Sequence, residues 1–203
     1  MHLKFLSAVV FMLFLFVGCT EQRSQTSQQT KKDSTEDYTF FPVTQFILGE
    51  LAQIDSLPVT PLKIISIDGK EDSIWMKKED IRTFAQPFLQ PKIDTSNLKD
   101  LFAQKSFLDQ TINAFTFSYD PVSKLPDTMQ LRRWDVYVDP QKSKVKRIYI
   151  VKEINEKQNA ATKQTIQLTW MAAHWCKITT IIEQGNNQPK IKEEKMIWDF
   201  NEP

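Results

Sequence analysis

The chain is poor in the residues that most often do chemistry. Its 203 residues include only 2 cysteines, 2 histidines and 4 glycines. His2 and Cys19 fall within the first twenty positions, so the remainder holds His174 and Cys176 alone. One cysteine forms no internal disulfide and no CxxC pair, and one histidine beside it supplies neither a zinc cluster nor an HExxH motif. The glycines, at positions 18, 49, 69 and 185, are too scattered for a dinucleotide or phosphate loop. Charge is balanced, with 26 Lys and Arg against 25 Asp and Glu. Without a basic run there is no electrostatic footprint for nucleic acid. These shortages predict no cofactor, no metal site and no histidine- or cysteine-based catalytic residues.

What is present begins with the leader. His2 and Lys4 precede an apolar run, Phe5 to Val17. That run falls short of the roughly 20 residues needed to span a bilayer and has the length of a secretory core region. It ends in Leu15-Phe16-Val17-Gly18-Cys19. An ordinary signal-peptidase site needs a small residue at the third position before the cut, where Phe16 stands.

The LFVGC sequence at 15–19 resembles the lipobox of bacterial lipoproteins, with Phe16 in place of the usual Leu. The resemblance implies cleavage after Gly18 and acylation of Cys19, making residues 1–18 a signal peptide. It concerns address, not activity. Thr20 follows where an Asp would favour inner-membrane retention, so the expected location is the outer membrane, held by lipid. Three acyl chains exceed the two-signal threshold for stable anchoring.

Residues 20–37, TEQRSQTSQQTKKDSTED, contain no apolar side chain. Such a segment has nothing to bury against its ordering entropy and reads, with Cys19, as a disordered tether over 19–37. A single globular domain is then expected over 38–203.

Within that domain Val43, Phe46, Ile47, Leu51 and Ile54 fall at helical spacing. Leu62 to Asp68 alternates as a strand, with a possible return strand at Ile74 to Met76 across the Asp68-Gly69 turn. Ile81, Phe84, Ala85, Phe88 and Leu89 form a second helical stripe, with an early end or kink expected near Gln86 because of Pro87. Asp94 or Ser96 would cap a third helix carrying Leu98, Leu101 and Phe102.

From Ile112 the period becomes two. Six strands are predicted, over 112–119, 129–138, 144–154, 163–171, 174–184 and 190–200. Short turns between them imply an antiparallel meander. The expected fold class is therefore α+β, with N-terminal helices packed on one face of a roughly six-stranded meander sheet. This element order resembles the cone-shaped nuclear transport factor 2-like superfamily and, more loosely, the sheet-and-lid carriers that serve lipoprotein transport. Neither likeness licenses a function.

Three features invite a functional reading. His174 and Cys176 share one strand face, yet their Cα atoms would lie about 6.6 Å apart, beyond what a nucleophile and its base require. Cys176 therefore reads as a core residue. Trp175 points the other way, to the face of Lys177 and Thr179, and is a possible contact residue. Asp135 could pair with Arg147 across strands, an exposed pair that needs no function.

The sequence thus predicts a membrane-anchored lipoprotein of the cell envelope. Its domain would be a non-catalytic binding or scaffolding module for an envelope protein. A carrier of a lipid or other apolar ligand is one alternative. A carboxylate-based hydrolase is another, since two acids brought together by a fold leave no local motif.

Overall fold

A computed structural model describes residues 39–155, 162–185 and 187–201. The signal peptide, Cys19 and the tether 20–37 lie outside the described residues.

Helix α1, Val43–Ser56, buries Val43, Ile47, Leu51 and Ile54 along one stripe. It stops at Leu57, whose backbone is extended, as the residue before a proline must be. Helix α2, Lys78–Leu89, begins with Glu79 and Asp80, whose charges favour a helix N-terminus. It continues through Pro87, where an early end was expected. Burial of Phe88 and Leu89 holds the last turn against the lost N–H bond. Lys152 supplies a further anchor by donating to the Pro87 and Gln90 carbonyls at the end of α2. Helix α3 is one turn, Thr95–Leu98, capped by the Asp94 carboxylate, which accepts the Asn97 N–H at 3.2 Å.

The strands are β1, Leu62–Ile67; β2, Lys70–Trp75; β3, Phe102–Asp109; β4, Ala114–Pro121; and β5, Leu131–Val138. They continue as β6, Val145–Asn155; β7, Thr162–Met171; β8, Trp175–Gln184; and β9, Lys190–Ile197. All nine join one antiparallel sheet in the order β2-β1-β9-β8-β7-β6-β5-β4-β3. Asp68 and Gly69 both have positive φ, +48° and +83°, the two-residue geometry that matches strand twist in a tight hairpin.

The expected architecture is overturned. The sheet has nine strands, not six, and it dominates a fold with only three helices, of 14, 12 and 4 residues, among the described residues. Three strands were not expected in this sheet, although the alternation from Leu62 marks β1 as a strand. β1 joins the far end of the chain, Leu62 opposite Ile197, a pairing with no local signal. β2 runs from Lys70, through residues too polar to mark a strand. β3 starts at Phe102, which with Leu98 and Leu101 mimics helical spacing.

The core is aromatic. Trp134 stacks on Tyr119 at 4.5 Å, with Phe102 and Phe40 edge-on at 4.8 and 5.8 Å. Farther along, Trp170 meets Phe88 at 5.3 Å and Trp198 at 5.4 Å. Such edge and offset geometries contribute about 0.5–1.5 kcal/mol each beyond area burial. This face of the sheet is filled by side chains.

Candidate functional site

A groove opens where α2 passes the β2 end of the sheet. Its volume is about 440 Å³, within the roughly 300–1,000 Å³ range of ligand sites. Helix α2 contributes Phe84, Pro87, Thr83 and Asp80, and the sheet contributes Lys63, Ile74, Trp75, Ile178 and Glu194. Phe84, Met76 and Ile178 are buried walls, whereas Ile74 and Trp75 stand 62% and 60% exposed at the rim. That exposure follows from position: β2 is an edge strand and every one of its residues is exposed. Among the described residues, no strand neighbours its outer backbone groups.

The polar part of the groove is built by register. Ile178 lies opposite Glu194, and Lys63 opposite Met196, so β1, β8 and β9 aim Lys63, Ile178 and Glu194 to one face. Lys63 Nζ is 2.8 Å from one Glu194 carboxylate oxygen, and Lys192 Nζ is 2.9 Å from the other. The Lys63 ammonium also lies over the Phe84 ring at 5.3 Å. Burial alone would raise the Glu194 pKa, but the two ammonium groups hold it below the ordinary carboxylate value. Glu194 therefore stays ionised and is unsuited to be a general acid at neutral pH. Every carboxyl group with a resolved shift moves the same way: Asp94, Asp109, Asp139, Glu153, Glu193 and Asp199 are also lowered. These shifts lend the hydrolase alternative no support, since that chemistry needs a carboxyl raised toward neutrality.

The residues singled out from the sequence are scattered. Cys176 is fully buried in β8 and desolvation pushes its thiol well above the ordinary value, the opposite of an activated nucleophile. His174 lies in the preceding turn with Nδ1 3.2 Å from Asp199 Oδ2, so its nearest charged partner is a carboxylate and not the thiol. Asp135 does not pair with Arg147. It is bound by Arg133 at 2.9 and 3.0 Å, because register places Arg147 opposite Tyr137 instead. Trp175 is half-buried on the side facing away from Cys176, with Lys195 Nζ 4.4 Å above its ring. The lipidation residue Cys19 lies outside the described residues.

Sequence reasoning missed the groove entirely. Lys63, Phe84 and Glu194 sit on elements joined only by the β1–β9 pairing and the passage of α2. The one available signal was Ile74-Trp75, two large apolar residues ending a polar strand.

No family model matches this chain, and no curated protein matches it. Among solved structures, it is similar to a Bacteroides fragilis protein provisionally described as an outer membrane protein, at 11% identity and a TM-score of 0.25. The likeness covers 78% of this chain and 53% of that one, about half its length. At that score the two folds do not superimpose as wholes, and no function is transferred from it.

Proposed function

We propose that the chain is a lipoprotein of the cell envelope, anchored to the outer membrane through acylated Cys19. Its folded domain is a non-catalytic binding module. The observation that carries the binding reading is the pair Ile74 and Trp75, exposed on an edge strand at the mouth of a partly apolar groove. Large side chains of this kind are costly to leave in water and are characteristic anchors of an interface. An extended segment of an envelope partner fits best. Its backbone would pair with the open edge of β2, and an apolar side chain would enter between Phe84, Met76 and Ile178. The anchor reading is supported by the leader: a run of the right length, ending in Gly18-Cys19, followed at once by a polar segment.

The carrier alternative retains one support, the groove itself. The filled aromatic core weighs against storage of a lipid inside the domain.

A photo-crosslinking residue placed at position 75 tests the reading in the cell envelope, with positions 57 and 107 as exposed apolar controls. One discrete protein adduct at 75, absent at the controls, is expected. A lipid adduct would favour the carrier, and identical patterns at all three positions would sink the groove. Cys19→Ala should separately release the protein from the membrane fraction or leave its leader uncut.

A further inference from the structure

The opposite face of the sheet carries a second, independent site. Register aligns Tyr137, Arg147 and Met171 in one cross-strand row, and Asp135, Tyr149 and Thr169 in the next. These side chains point away from the groove and from the aromatic core, which take the alternate residues of the same strands.

Arg147 is the centre of this face. Its guanidinium lies 4.0 Å from the centroid of the Tyr137 ring. It joins none of the ion pairs among the described residues. Two carboxylates lie near it. Asp135 is buried and already held through both oxygens by Arg133. Asp109 is bound by Thr111, which with the Arg147 charge helps keep it ionised, and it forms no ion pair with Arg147. Stacking occupies the flat face of a guanidinium and leaves its N–H edges free to bind a carboxylate or phosphate.

Two depressions meet at Arg147 and Tyr137. One, about 280 Å³, is completed by Tyr149 and Thr169, each bringing a hydroxyl. Burial raises the Tyr149 pKa, so its phenol remains a donor at any physiological pH. The other, about 140 Å³, is lined by Ile112, Ala114 and Met171 and by Lys146, whose ammonium donates to the Ile112 carbonyl at 3.4 Å. Hydroxyl donors lie on one side of the Arg147 guanidinium, and the apolar side chains of Ile112 and Met171, with the Lys146 ammonium, lie on the other.

We propose that this face binds a single-chain anionic amphiphile. The carboxylate or phosphate head accepts from Arg147, Tyr149 and Thr169, and the alkyl part lies along Ile112 and Met171. The positive charge of Arg147 selects an anionic head over a neutral one, and the second depression selects a chain-bearing anion over a bare one.

Arginine-directed modification by phenylglyoxal, read peptide by peptide, tests this on the full chain in nanodiscs of neutral phosphatidylcholine. Octanoate should slow modification of Arg147 at least fivefold, while octanol and inorganic phosphate at the same concentration leave it unchanged. Arg82, which pairs with Asp55 elsewhere on the molecule, serves as the internal control. Met171→Gln should raise the octanoate concentration needed for protection about fivefold without altering the unprotected rate. Equal protection by octanol, or by phosphate alone, would overturn the proposal, as would no protection by octanoate. Protection by phosphatidylglycerol in the disc without octanoate would assign the face to bilayer headgroups and overturn it equally.

Discussion

The Glu50 carboxylate of α1 accepts the backbone N–H of Ala173 at 2.7 Å, joining residues 123 positions apart. Ala173 lies in the turn between β7 and β8 with φ at +66°, a left-handed conformation that costs an L-residue roughly 1–2 kcal/mol. The same carboxylate lies 3.4 Å from the indole N–H of the buried Trp170. One helix side chain thus holds a strained turn at the entrance to β8.

Two substitutions separate these contributions. Glu50→Ala should destabilise the domain by about 1–3 kcal/mol, since it leaves the indole N–H of the buried Trp170 without its acceptor. Ala173→Gly should do the reverse and stabilise by about 1 kcal/mol, raising the melting midpoint by roughly 2–4 °C. Thermal unfolding of the two variants checks both signs. Destabilisation by Ala173→Gly would show that the turn is not strained.

Lys152 gives a prediction in pH. Burial lowers its pKa to about 8 from an ordinary 10.5. Between those values the unfolded chain binds the proton more tightly than the folded one, so stability due to this group rises with pH. The wild-type protein should therefore gain on Lys152→Met by up to about 3 kcal/mol as pH climbs from 8 to 10.5. Chemical denaturation of both proteins across that window measures the difference. A constant gap would mean that the Pro87 and Gln90 carbonyls hold the ammonium as firmly as water does.

Cys176 should resist a bulky thiol reagent in the native domain and react rapidly once the chain is denatured. Cys176→Ser should cost about 1–3 kcal/mol, because a hydroxyl enters an apolar site without an assured partner. Rapid labelling of the folded protein would contradict the burial of this thiol.

Phe40 precedes α1 yet belongs to the core. Its ring meets Tyr119 at 5.1 Å and Trp134 at 5.8 Å, and its N–H donates to the Thr95 hydroxyl at 2.7 Å. Phe40→Ala should therefore cost about 3–5 kcal/mol by leaving a cavity between these rings. A loss below 1 kcal/mol in a denaturant titration would mean that the N-terminal stretch adds little to the fold.

Local pattern was enough to mark α1, α2 and the strands β4 to β9. Each carries an apolar set at its own period, and Val43, Ile47 and Leu51, or Trp134 and Val136, announce their element without help from the rest of the chain. The same local chemistry marked the Asp68-Gly69 turn. It did not determine the size of the sheet. β2 and β3 are edge strands whose residues are mostly exposed, so they carry no buried alternation to read. The antiparallel pairing of β1 with β9 brings residue 62 against residue 197, and only tertiary structure could choose it. That one pairing aligns Lys63 with the β9 strand that bears Glu194 and creates the groove beneath Phe84. Likewise the alternation of β6 puts Arg147 on one face, but the register with β5 gives it Tyr137 in place of Asp135. Periodicity tells a residue which side of a strand it occupies; register alone tells it which neighbour it meets.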